Sequence, residues 1–76
     1  MGNKLVGNLW NDRSVEIVEI EGNYYVLDRW NGEEWDGWRV EDKRGYEATD
    51  EEATIKPIYE EDEDGDFYII DYVLLS

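Results

Sequence analysis

The stretch SVEIVEIEGNYYVLDRWNGEEWDGWRVE, residues 14–41, decides the fold. Ser14 to Glu21 reads as a strand of mixed burial: Val15, Ile17 and Glu19 share one face, and Glu16, Val18 and Ile20 share the other. This is the two-residue period of a strand with apolar groups on both sides. Gly22-Asn23 then suits a primed two-residue turn, and Tyr24 to Trp30 is again β-branched and aromatic. Asn31-Gly32 is a strong hairpin signal that reverses the chain into Glu33 to Glu41. The segment therefore predicts a three-stranded antiparallel meander.

Working outward, Lys4 to Trp10 reads as a short first strand ending at Asn11-Asp12, and Lys43 to Gly45 as a turn. Thr49 with Glu52 three residues later fits a capping box for one or two helical turns, with a loop as the alternative. Ile55 to Glu61 reads as a strand in which Pro57 lacks a ladder donor and so marks an edge or a bulge. Asp64-Gly65 turns the chain into DFYIIDYVLL, Asp66 to Leu75, whose apolar run is expected at the centre of the sheet. The pattern is mainly β: a single domain over residues 1–76, built as an antiparallel sheet or partly open barrel of about six short strands with at most one short helical turn.

Composition narrows the chemistry. At 76 residues a deep substrate cavity is not expected. The 21 Asp and Glu against 7 Lys and Arg give a net charge of -14, beyond the magnitude of roughly 2 to 8 that serves solubility. Four tryptophans, six tyrosines and Phe67 argue for a folded core beneath that charge. Cysteine is absent, which excludes disulfides and thiolate metal sites and points to a reducing compartment, the cytoplasm. No apolar run is long enough to span a bilayer. The anionic surface is repelled by acidic lipids and by nucleic acid, so neither membrane nor nucleic acid is an expected partner, whereas a basic protein is. Open sheet edges leave monomer and dimer both possible.

The densest charge is EEDEDGD, residues 60–66, with six carboxylates in seven positions. With Gly65 on the invariant glycine of a calcium loop, Glu60, Asp62 and Asp64 fall on ligand positions and Asp71 on the last one. Glu at the first position, the short Asp at the last and strand-like flanks argue against it, and no metal or cofactor is expected. A bare solvated hairpin tip is the simplest reading of such a run. Acids nevertheless recur on nearly every element: Glu16, Glu19 and Glu21; Glu33, Glu34 and Asp36; Glu47; and Asp50 to Glu52. Same-face strand residues lie about 6.6 Å apart and neighbouring strands about 4.8 Å, so acidic hairpins can present carboxylates in rows. Duplex DNA carries one charge per roughly 1.7 Å of axis. The array is sparser than a phosphate backbone but addresses the same kind of basic cleft.

Catalysis has little to work with. Histidine and cysteine are absent, and the two serines have no imidazole to activate them. A carboxylate pair would need a groove that so small a chain rarely supplies. Trp30, Trp35 and Trp38, beside acids, form an alternative site, a reader of a cationic or proline-flanked peptide or of a glycan. At least two of these tryptophans are also expected to serve the core. General surface acidity of a halophilic host is a third reading of the charge.

In size, charge and aromatic-stiffened β pattern the whole chain resembles the small acidic proteins that phages and other mobile elements use against nucleic-acid enzymes, such as anti-CRISPR proteins and the uracil-DNA glycosylase inhibitor. The resemblance is one of type and carries no family's residues onto particular positions. It implies a stoichiometric, non-enzymatic inhibitor that occupies the basic DNA- or RNA-binding cleft of its target, a CRISPR effector complex among the targets implied. On the physical reading, Glu60, Glu61, Asp62, Glu63, Asp64 and Asp66, with Glu33, Glu34 and Asp36, then stand in for phosphates, and Trp35 anchors the apolar centre of the contact.

Overall fold

The computed structural model describes residues 3–75. Six antiparallel strands form one curled, half-barrel sheet in strict chain order: β1 (Lys4–Asn8), β2 (Glu16–Ile20), β3 (Asn23–Trp30), β4 (Trp35–Val40), β5 (Ala48–Glu61) and β6 (Phe67–Leu74). A 3-10 turn at Leu9–Asn11 is the helical element among the described residues. The mainly-β expectation of six strands holds.

Strand alternation builds two cores, one on each face of the sheet. Val18 and Ile20 of β2, Tyr25 and Leu27 of β3, Ala53 and Ile55 of β5 and Tyr72 of β6 form the first, with Trp35 packed against it. Ile17 and Val26 point the other way and meet Leu9 and Val40, flanked by Val6, Val15, Tyr24 and Trp38. The consecutive pairs Ile17-Val18 and Tyr25-Val26 thus bury side chains on opposite faces, which explains the mixed burial read in residues 14–21. Two of the three tryptophans in the 30–38 region, Trp35 and Trp38, flank these cores, half-buried.

Local signals were displaced in several places. The first strand ends at Asn8 rather than Trp10, because Trp10 and Asn11 turn left-handed at φ 51 and 61. That turn drops Leu9 into the second core. It is held by Trp10, whose backbone N–H reaches the Arg44 carbonyl at 2.8 Å and whose indole Nε1 reaches that of Gly45 at 3.2 Å. The β2–β3 turn falls on Glu21-Gly22, at φ 50 and 88, one residue before the expected dipeptide, because Ile20 pairs with Asn23. The Asn31-Gly32 reversal is a four-residue loop rather than a two-residue turn. Asn31 Oδ1 accepts the N–H groups of Glu33 and Glu34 at 2.9 and 2.8 Å, so β4 starts at Trp35. The Lys43–Gly45 turn is present, with Gly45 at φ 79.

Thr49 caps no helix, and this corrects both the helical and the loop reading: β5 already runs from Ala48. Trp38 pairs with Glu52 and Val40 with Ala48, so three β5 residues bulge opposite Arg39. The Thr49 hydroxyl donates to the Arg39 carbonyl at 2.8 Å and accepts the Glu51 N–H at 3.2 Å. The side chain that would have closed a capping box closes a β-bulge instead.

The second correction concerns Asp66 to Leu75. This run is an edge strand, not the centre of the sheet, and Phe67 to Ile70 are all exposed. Pairing between β4 and β5 ends at Trp35–Ile55, whereas β5 continues six residues further with β6 as its ladder partner. Those six residues measure about 20 Å at 3.3 Å each. Their outer part and the Phe67–Ile70 half of β6 form a two-stranded arm, consistent with overall dimensions of 41 × 25 × 24 Å. Pro57 sits where β4 no longer runs alongside, the edge position its missing N–H requires. The arm's register shifts between Ile58 and Tyr59.

Candidate protein-binding surface

Each acidic site residue can now be placed. Glu60 and Glu61 end β5, and Asp62 to Asp66 form the tip of the arm, all exposed. The tip is ordered by one of its own acids. Asp62 Oδ1 accepts the N–H groups of Asp64 and Asp66 at 2.9 and 3.0 Å, its backbone N–H donates to the Asp66 carbonyl at 2.9 Å, and Gly65 supplies the positive φ of 86. Asp62 is therefore a structural residue of the turn, while Glu61, Glu63, Asp64 and Asp66 project from it. Glu60 accepts the Tyr68 hydroxyl at 2.9 Å across the ladder, a hydrogen bond to the carboxylate that raises the phenol's pKa.

The calcium alignment separates in the fold. Strands β5 and β6 flank the loop, and Asp71, midway along β6 opposite Ile58, accepts its own neighbour's N–H, that of Tyr72, at 2.8 Å.

The second acidic group belongs to a different hairpin. Glu33 and Glu34 lie in the β3–β4 loop, Glu33 exposed and Glu34 half-buried, and Trp35 begins β4. Asp36, exposed, instead joins Asp28 and Glu52 beside Arg29 and Trp38, around a shallow depression of about 210 Å³. From Ile55, the partner of Trp35, β5 runs about 20 Å before it reaches Glu61, so the two acidic groups are presented from separate elements. Among the described residues the one ion pair is Arg39–Glu41 at 3.2 Å, and no charged side chain is buried. The carboxylates face solvent largely uncompensated by cations.

The tryptophans divide between the faces. Trp30 and Trp35 pair directly across β3 and β4, their ring centroids 5.3 Å apart and planes tilted 49°. Trp35 leans on the first core and Trp38 on the second, so the trio is not one site. Trp30 remains 40% exposed and Trp10 59%.

Sequence reasoning missed the apolar side of the arm. Phe67 is 70% exposed, and Tyr59, Tyr68, Ile69 and Ile70 are exposed with it. Several of these residues, together with Asn3, Lys4 and Leu5, line a groove of about 620 Å³ between the two edge strands. The available signal was the adjacency of an unbroken apolar run to the charge maximum, which reads equally well as a buried strand. The groove is closed at one end by Asn3, whose Nδ2 donates to the Tyr72 carbonyl and whose Oδ1 accepts the Glu21 N–H, each at 3.0 Å.

No helix among the described residues is long and apolar enough to cross a membrane. Comparison with known protein families, with curated proteins and with solved structures finds no match for this chain.

Proposed function

We propose that this chain is a non-enzymatic acidic binding protein that inhibits a nucleic-acid-binding enzyme or complex by occupying its basic DNA or RNA cleft. A CRISPR effector is the kind of target that its likeness in type to phage inhibitors suggests. The observation that carries the reading is the arm: a two-stranded ribbon whose hydrogen-bonded tip exposes Glu61, Glu63, Asp64 and Asp66 beside an apolar stretch at Phe67 to Ile70. Charge at the tip would steer encounter with a cationic cleft, and the apolar neighbours would supply the desolvated centre that holds a complex together.

The test is capture of bacterial lysate proteins on the immobilised chain, with elution by rising salt or by duplex DNA. A nucleic-acid enzyme displaced by DNA supports mimicry, provided that a variant with Glu61, Glu63 and Asp64 changed to lysine no longer retains it. Retention that DNA does not compete, or that survives the charge reversal, overturns it.

A second reading rests on the Trp30–Trp35 pair, an exposed aromatic surface beside Glu33 and Glu34 that suits a cationic or proline-flanked peptide or a glycan. It requires Trp30→Ala to abolish binding with little dependence on salt.

A further inference from the structure

The outer edge of β6 is blocked at one end and open at the other. Leu75 donates its N–H to the Thr54 carbonyl and Asp62 donates to that of Asp66, which fixes the alternation of the β5–β6 ladder from both ends. Tyr72 then falls at a position whose N–H and C=O point away from β5. Both are taken: Asp71 Oδ1 accepts the N–H at 2.8 Å and Asn3 Nδ2 donates to the C=O at 3.0 Å. Counting from the tip, Phe67 and Ile69 also point their backbone groups outward, and no described residue bonds to them there. Proteins ordinarily blunt such an edge. Here the blunting stops at Tyr72, and the unblunted stretch lies against the groove lined by Leu5, Tyr59, Phe67 and Ile69.

We propose that the open stretch of β6, Phe67 to Ile70, is a strand-addition site for an extended cationic segment of a partner protein, whose apolar side chains alternate with Lys or Arg. The added strand takes the outward N–H and C=O groups of Phe67 and Ile69. Its apolar side chains lie on the face of Tyr59, Phe67 and Ile69, and its cations reach the other face, where the Tyr68 hydroxyl holds Glu60 in position. Charge selects the occupant. A second copy would set net -14 against -14 and lay each acidic tip alongside the other's Asp71. A basic segment meets Glu60 on the Tyr68 face and the acidic tip beside it, while Lys4, the one charge among the described residues lining the groove itself, faces its apolar side chains. The choice of a basic partner rests on the function proposed above; the mode of binding does not.

The test uses the full chain, ¹⁵N-labelled, titrated with a capped heptapeptide of alternating lysine and valine. Perturbed amide signals at Phe67 and Ile69, weakened at least about tenfold when alternate valines of the peptide are N-methylated, are the expected result. The Ile69→Pro variant removes an outward N–H without touching the β5 ladder, and it should lose the peptide while keeping its β-sheet circular dichroism. An equal response to the alternating glutamate and valine peptide, unchanged signals at Phe67 to Ile70, or the same shifts produced by raising protein concentration alone would each overturn the proposal. If Ile69→Pro keeps the captured target while the tip reversal loses it, strand addition fails and the acidic reading stands. If Ile69→Pro loses the target while the tip reversal keeps it, strand addition stands and the acidic reading fails.

Discussion

Asn3 and Tyr72, near opposite ends of the chain, are joined by a hydrogen bond of 3.0 Å from side-chain amide to backbone carbonyl. The same side chain accepts the Glu21 N–H at 3.0 Å, so one residue ties β6 to the β2–β3 turn. Asn3→Ala removes both bonds, the one to Tyr72 part-buried and the one from Glu21 exposed, and such bonds contribute about 0.5 to 1.5 kcal/mol each. We expect a loss of about 1 to 2 kcal/mol in urea denaturation. Faster amide exchange at Glu21 should accompany it.

Gly37 is the least replaceable glycine. A Cβ there would overlap the Val26 carbonyl oxygen on the paired strand, where β3 bulges around Asp28. Backbone cannot yield as a side chain can, so Gly37→Ala should cost about 3 kcal/mol or more. Gly22→Ala meets no atom within 4 Å and bears only the strain of its φ of 88, about 1 to 2 kcal/mol. Thermal denaturation of the two variants side by side checks the ordering.

Burial predicts a sharp contrast between two isoleucines. Ile55 is 0% exposed in the first core, and Ile55→Ala should cost about 2 to 5 kcal/mol. Ile70 is 48% exposed on the arm, and Ile70→Ser should stay within about 0.5 kcal/mol of the parent. Equal losses in chemical denaturation would show that the arm is covered by the body.

Alkaline pH should unfold the chain partly through Tyr72. Its pKa is raised above 10.0 by burial, then by the charge of Glu16 and by Tyr59. A raised folded-state value means that the contribution is complete below the unfolded pKa of about 10 and disappears as pH rises through the folded value. Tyr72→Phe should flatten the fall in denaturation midpoint above pH 10, and an unchanged slope would remove Tyr72 from the account.

In acid the relevant group is Asp42. Partial burial raises its carboxyl, but the N–H groups of Arg44, Glu47, Tyr46 and Gly45 outweigh it, so the pKa lies below 3.8. Its contribution is present above that unfolded value and is lost as pH falls through the lower, folded one. Comparing Asp42→Asn with the parent in denaturation series at pH 7 and below pH 3 tests this. The variant should be the less stable at neutral pH, and the gap should narrow in acid.

How much of this was legible in the sequence depends on the range of the interaction. Ser14 to Val40 declared its strands because alternation and turn dipeptides act within a few residues. The exact turn at Glu21-Gly22 was hidden, because the pairing of Ile20 with Asn23 fixed the register against the more obvious Gly-Asn. Thr49 misled for the same reason, its hydroxyl being taken by Arg39 ten residues away. The carboxylates at the tip were visible as composition. The role of Asp62 in ordering them, the separation of Asp36 from Glu33, and the division of Trp35 and Trp38 between faces all required the sheet. The exposed arm was least legible, since FYII is the same string whether a strand is buried or offered to a partner.

Strict chain order along the sheet has a kinetic meaning. Each ladder joins neighbours in sequence, so every pairing can zip from a hairpin already made, with little loop to close at each step. Bonds outside the ladders reach further: Trp10 joins Arg44 and Gly45, and the Asn3–Tyr72 bond spans 69 positions. It can form only after the hairpins between its ends are in place, and the folding transition state should lack it. Asn3→Ala should therefore accelerate unfolding and leave the refolding rate nearly unchanged, making this clasp a brake on opening rather than a seed of structure.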